Sequence, residues 1–201
     1  MTTFLLIRHA VHDLVEGTLA GRMPGVHLSA QGQQQAERLA ERLVALPIAA
    51  IYSSPLERTM QTAKPLASWL NLPVQINHGF AEIDFGEWTG KRFDELAADP
   101  RWQEWNSFRS SSHLPNSGLM LEVQLRAVAA LQCLCQEYPN QVVAIVSHSD
   151  VIKAVVAHYL GVHLDLFQRI EISPASVSII AVHHWGAQVI RLNDTGDLPT
   201  T

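Results

Sequence analysis

The chain has 201 residues, 47% of them apolar and 16% charged, the composition of a globular protein with a well-covered core. Its 19 acidic and 14 basic side chains leave a formal charge of −5, which argues against a general binder of nucleic acid or of an anionic membrane surface. An anionic small molecule would have to be met by a local cationic pocket.

Residues 1–3 lead into the first apolar run without the charged start of a signal peptide, and a cytoplasmic location is expected. Phe4-Leu5-Leu6-Ile7 then runs straight into Arg8-His9, which reads as a buried strand of a parallel sheet ending in two polar residues. In open α/β sheets ligands collect at the carboxyl ends of strands. A guanidinium beside an imidazole at such an end suits an anion, and the imidazole of His9 could attack a phosphorus atom.

A loop over 11–28 carries Gly17, Gly21, Arg22 and Gly25. Ser29 is a good N-cap, and the apolar spacing predicts a helix to about Leu46, stopped by Pro47. Residues 48–52 read as a second strand. Ser53-Ser54-Pro55 predicts a helix with a hydroxyl cap and proline in its first turn, kinked or restarted at Pro65 and ending near Leu70. Residues 74–76 form a short third strand. The run AEIDFGEWTG, residues 81–90, is a loop rich in carboxylates and glycine.

Weak helical signals over 92–108, broken at Asp99-Pro100, lead into a polar loop over 110–118 that is expected to be mobile. Residues 92–118 therefore read as an inserted lid rather than a second domain. Residues 119–138 are strongly amphipathic. Cys133 and Cys135 fall two apart on that helix, so they point to different faces and are expected as buried, reduced thiols. A buried strand over 142–146 is followed by Ser147-His148-Ser149-Asp150, the start of a helix reaching Leu160 and closed by Gly161. Residues 164–167 suggest a short helix, and 176–183 with 187–192 an antiparallel hairpin. No apolar run is long enough to cross a membrane. Strands alternating with helices predict a three-layer α/β/α fold on a central, mainly parallel sheet, with residues 1–201 as one domain.

Two strand ends carry the same chemistry, Arg8-His9 and Ser147-His148. A lone histidine is more often structural, but two at equivalent strand ends point to a site, and the helix start after His148 favours an anion. Arg58, in the first turns of its helix, belongs to the same edge of the sheet and suits bidentate phosphate binding. Glu82, Asp84 and Glu87 form the one carboxylate cluster after a predicted strand end, and one of them is a candidate general acid. The Trp88, Trp102, Trp105 and Phe108 cluster reads as lid packing. His183-His184 reads as a surface pair rather than a metal site.

These stretches resemble the histidine phosphatase superfamily, the phosphoglycerate-mutase-like proteins. FLLIRHA resembles its Arg-His signature, YSSPLERTMQTA its second-arginine motif, AEIDFGEWTG its acidic loop and VSHSDVIKAVV its second-histidine motif, in the family's order. The resemblance implies His9 as nucleophile, Arg8, Arg58 and a protonated His148 as the phosphate pocket, and Glu82 as proton donor with a raised pKa. It implies no metal and no cofactor, since cationic side chains offset the phosphoryl charge. Gly21, Arg22 and Ser149 are further candidates for phosphate contact. Ala10 stands where the family usually has glycine, Val15 where it often has asparagine, and Ser149-Asp150 where a glycine pair is usual. The family's Gly-Glu-Ser before the long helix is replaced by Asn116-Ser117-Gly118.

The expected function is a metal-independent phosphatase acting on a small phosphorylated metabolite through phosphohistidine. The alternatives are a phosphoglycerate-type mutase and a non-catalytic module that binds phosphorylated ligands. The shortness of the segment between the acidic loop and the second histidine favours hydrolysis over mutase chemistry. The C-terminal hairpin is a candidate edge for a homodimer.

Overall fold

The computed structural model describes residues 1–14 and 17–196; Val15, singled out above, lies outside them. The order of elements is β1 (Thr2–Arg8), α1 (Ala30–Leu43), β2 (Ile48–Ser53), α2 (Glu57–Leu70), β3 (Val74–Ile76), α3 (Phe93–Ala97), α4 (Pro100–Ser107), α5 (Met120–Glu137), β4 (Val142–Ser147), α6 (Ser149–Leu160), β5 (Val177–His183) and β6 (Gly186–Asp194). Short 3₁₀ turns cover His78–Phe80, Gly86–Trp88 and Leu164–Arg169. Among the described residues no helix is long and apolar enough to cross a membrane.

The six strands form one mixed sheet in the order β3-β2-β4-β1-β5-β6. The first four in that order are mutually parallel, while β5 runs antiparallel to β1, and β6 to β5. Strand periodicity explains how one short run serves two cores. Phe4 and Leu6 face the cluster built with α5 and α6, whereas Leu5 and Ile7 face the one built with α1 and α2. All four are essentially buried. β1 leads over β4 to β2, and β4 leads the opposite way to β5, so the chain leaves these neighbouring strands in opposite directions. Such a divergence leaves a crevice at the carboxyl ends.

Several expectations need correction. Helix α1 stops at Leu43, and Leu46 is exposed. Helix α2 begins at Glu57 with Leu56 as its cap residue, not at Ser54, whose hydroxyl lies 2.8 Å from His148 Nε2 and accepts the Leu56 N–H at 3.4 Å, ahead of the helix. The same helix continues through Pro65, at the cost of one internal hydrogen bond. Cys133 is exposed and Cys135 half-buried, since both lie off the buried stripe of Val123, Ala127, Leu131 and Leu134; both are free thiols. The 110–118 loop is pinned rather than loose: the Ser110 N–H donates to Asp165, Leu114 is buried and His113 bridges to Leu119. Trp88 and Trp105 are fully buried in the same region, in edge contact at 6.0 Å, which is packing rather than a binding platform.

Candidate active site

Parallel register brings three chain ends together. Arg8 pairs with Ser147, and the His9 N–H donates to the Ser147 carbonyl at 2.9 Å, so His9 and His148 extend from adjacent strands. Their rings lie 5.3 Å apart at 62°. On the other side of β4, the Ser54 N–H donates to the Val146 carbonyl, which starts α2 beside His148. Thr62 of α2 ties the helix back to β1: its hydroxyl accepts from the Ala10 N–H and donates to the Arg58 carbonyl. Helix α1 supports the chain just after His9. Ser29 caps its Gly32 N–H, and Gly32 lies so close to Val11 that an added Cβ would stand 1.9 Å from the Val11 carbonyl oxygen.

A cleft of about 300 Å³ opens over these ends, lined by Arg8, His9, Arg58, Glu82 and Ser149 among others. His9 is only 4% exposed. Its Nδ1 lies 2.8 Å from the Ala10 carbonyl, which can only accept, so Nδ1 carries the proton and Nε2 keeps a lone pair. Burial, then the Arg58 charge, hold the imidazole well below its ordinary pKa and therefore neutral at pH 7. The result is an uncharged imidazole of defined tautomer with a free lone pair on Nε2.

Arg58 is 1% exposed. One Nη2 hydrogen bond goes to the Gly21 carbonyl at 2.8 Å, and His148 Nδ1 lies 3.2 Å from the same nitrogen. Its Nε and Nη1 have no protein partner, nor has Arg8 Nε, whereas Arg8 Nη1 donates to the Ile172 carbonyl. Buried guanidinium donors without partners are costly, and an anion at the strand ends would satisfy them. Gly21, at φ +49°, lines the cleft and aims its carbonyl at Arg58, whose guanidinium it orients. Arg22 is placed differently from expectation. Its Nε donates to the Glu82 carbonyl and Nη1 lies 3.7 Å from Asp84, outside the cleft lining. Ser149 does line the cleft, its hydroxyl directed at the Ile172 carbonyl at 3.5 Å.

His148 is fully buried beside Arg58, and both effects push its pKa well down, so the surroundings of the free site favour its neutral form. With Arg58 donating to Nδ1, the Nε2–H donates to the Ser54 hydroxyl at 2.8 Å.

Glu82 is the member of the acidic loop that reaches the centre. Oε1 accepts the Ile83 N–H, while Oε2 lies 3.4 Å from His148 Nδ1 and 3.8 Å from Arg58 Nη2. Its side chain is 14% exposed. Burial, with Asp150 adding to it and Arg58 opposing, raises its pKa to about 7. Arg126 of α5 holds the loop by donating to the carbonyls of His78, Gly79, Ala81 and Glu82, and Ser147 adds a bond to the Phe80 carbonyl. Asp84 caps the Gly86 N–H, and Glu87 pairs with Arg101.

The structure also brings in residues that sequence reasoning missed. His12 lines the cleft, 5.3 Å from His9 ring to ring. Its Nδ1 accepts the Leu14 N–H, leaving Nε2–H as donor, and burial and Arg58 lower its pKa to about 4. It is a neutral donor across the ordinary pH range. Arg109, between α4 and the polar loop, is 2% exposed, lies 3.4 Å over the Trp105 ring and pairs with Asp150 at 2.8 Å. Spacing to the nucleophile was an available signal for His12; none marked Arg109 or Arg126. Among the described residues no group of three metal-ligating side chains occurs, and His183 stacks on Trp185 at the hairpin tip.

The family profile of the histidine phosphatase superfamily (branch 1) matches residues 4–195. Phosphoserine phosphatase 1 of Hydrogenobacter thermophilus is 30% identical over 200 residues, covering 97% of this chain and 93% of that one. Among solved structures, the Bacillus stearothermophilus protein YhfR superposes with a TM-score of 0.91 at 29% identity, covering 96% of this chain and 98% of its own. A phosphoserine phosphatase mutant of Entamoeba histolytica, solved with phosphoserine, gives 0.85 at 26% identity over 97% of this chain and 98% of its own.

Proposed function

The chain belongs to the histidine phosphatase superfamily, and from that footing we propose that it hydrolyses a small phosphorylated metabolite through a phosphohistidine formed on His9. The observation that carries the reading is the buried pair of His9, locked by the Ala10 carbonyl with Nε2 free, and Arg58, with two unpartnered donors. Neutral His9 Nε2 attacks phosphorus; the N–P bond forms as the bond to the leaving oxygen breaks. Arg8 and Arg58 face the equatorial oxygens and offset their charge, the main demand of phosphoryl transfer. A phosphoryl dianion adds negative charge beside His148, whose protein neighbours are Arg58 and the half-protonated Glu82, so His148 gains its proton with substrate. His12 offers a neutral N–H to the same group.

Glu82, half-protonated near pH 7, donates its proton to the leaving alkoxide. Its carboxylate then takes a proton from the attacking water, the N–P bond breaks, and inorganic phosphate leaves with His9 restored. Every charge needed is held by side chains, so the cycle does not call for a metal. A reducing, cytoplasmic setting accords with Cys133 and Cys135 as free thiols.

The test is phosphate release from a panel of phosphorylated sugars, glycerates and amino alcohols in EDTA, with trapping of acid-labile, base-stable phosphoprotein. Release that survives EDTA, with label on His9 and both lost in His9→Ala, is the expected result. Turnover that persists in His9→Ala, or stops in EDTA, would overturn it. Isomerised product without phosphate release would assign the mutase reaction instead.

A further inference from the structure

Beyond the phosphoryl pocket the cleft has a second wall, and its charge balance limits what the alcohol part of a substrate can carry. This step rests on the phosphatase reading above. Along that wall, Phe85 and Trp102 are apolar, Asn106 and Gln168 are amides, and Arg109 and Asp150 are the charged pair. Arg109 has no positive charge to spare: Nη1 donates to Asp150 at 2.8 Å and Nη2 to Asn106 at 2.7 Å, and its Nε is buried without a partner. Packing between Trp105 and Phe167 keeps the guanidinium in place. Asp150 keeps a 20% exposed side chain at the cleft. Lys153 stands behind Gln168, its Nζ 3.0 Å from Oε1, and does not line the cleft. Among the described lining residues, then, the arginines not engaged by Asp150 are Arg8 and Arg58, the latter 3.8 Å from Glu82, and a phosphate dianion offsets both.

We infer that this protein selects phosphomonoesters whose alcohol part carries no net negative charge, because the Arg109–Asp150 pair leaves no cation for a second anionic group and sets a carboxylate against one. A second phosphate or an uncompensated carboxylate would meet the Asp150 carboxylate, and like charges repel. A protonated amine would meet Asp150 favourably.

Phosphoserine and 3-phosphoglycerate make a sharp probe, since they differ only in an ammonium against a hydroxyl. Their alcohol parts carry net charges of zero and minus one. The wild-type protein should hydrolyse phosphoserine, and phosphoethanolamine with it, with kcat/KM at least ~10-fold above that for 3-phosphoglycerate. In Asp150→Asn the ratio should fall severalfold toward unity as Arg109 is released. Both substrates share one phosphoryl step, so any effect of the substitution on Glu82 cancels in the ratio. p-Nitrophenyl phosphate, with its neutral leaving part, serves as reference. If that reference is cleaved but 3-phosphoglycerate is used as well as phosphoserine, the charge rule is overturned and the phosphatase reading stands. A strong preference left unchanged by Asp150→Asn overturns the assignment to this pair. If neither the reference nor any other phosphomonoester is cleaved, the phosphatase reading fails and takes this inference with it.

Discussion

Replacing Glu82 with glutamine should make the protein both more stable and far less active, and the two effects have one cause. Burial lifts the Glu82 pKa from an ordinary 4.5 to about 7. Below pH 4.5 the carboxyl is protonated in the folded and the unfolded chain, and it contributes no difference. Between 4.5 and about 7 the unfolded chain releases a proton that the folded chain retains, so stability falls as pH rises. Above about 7 the cost is complete, on the order of 3 kcal/mol at ~1.4 kcal/mol per pH unit. Glutamine keeps the amide-like acceptor for the Ile83 N–H and removes the charge. Glu82→Gln should therefore leave stability unchanged near pH 4 and raise it at pH 8, by up to ~3 kcal/mol or roughly 6–12 °C in Tm. Loss of the general acid should cost ~10²–10⁴-fold in kcat/KM with an alkyl phosphate, and much less with p-nitrophenyl phosphate, whose leaving group needs no proton. The alkaline limb of kcat/KM near pH 7 should vanish. Paired thermal melts and pH–rate profiles make the measurement. A variant that keeps that limb, or gains no stability at pH 8, would refute the assignment of Glu82 as a buried acid.

Two further outcomes follow from the neighbours of His9. His12→Phe removes one neutral donor while keeping a ring against His9; kcat/KM should fall roughly 10–100-fold, with the Glu82 limb retained, as expected for loss of one hydrogen bond to a charged group. Gly32→Ala would force a Cβ into the Val11 carbonyl, a backbone atom that cannot swing aside. It should cost about 2 kcal/mol or more, seen as a Tm lowered by several degrees, and reduce activity because the displaced segment begins two residues after the nucleophile.

The places where reading and structure part company share a physical pattern. Buried parallel strands are unbroken apolar runs, so Phe4 to Ile7 and Val142 to Val146 announce themselves, and with them the positions of Arg8, His9 and His148 at strand ends. The start of α2 lies later than the cap chemistry of Ser54 suggests: its hydroxyl accepts the Leu56 N–H ahead of the helix and bonds a histidine 94 residues away. Arg22 has the chemistry of a phosphate ligand, but the acidic loop folds close enough to bind it first. The protonation state of His148 is not legible in the sequence either, since its full burial lowers the pKa in the free site.

By itself the sequence determined the α/β class, the strand ends and the types of the reacting groups, because these depend on residue pattern over a few neighbours. Tertiary structure alone decided the tautomer of His9, the neutrality of His12 and His148, the raised pKa of Glu82 and the pairing of Arg109 with Asp150. Protonation state depends on burial and on charges brought together from distant segments, and no short stretch of sequence records either. The Arg8-His9 end of β1 was visible in a handful of residues; what holds His9 neutral comes mainly from its burial and from Arg58 on the following helix.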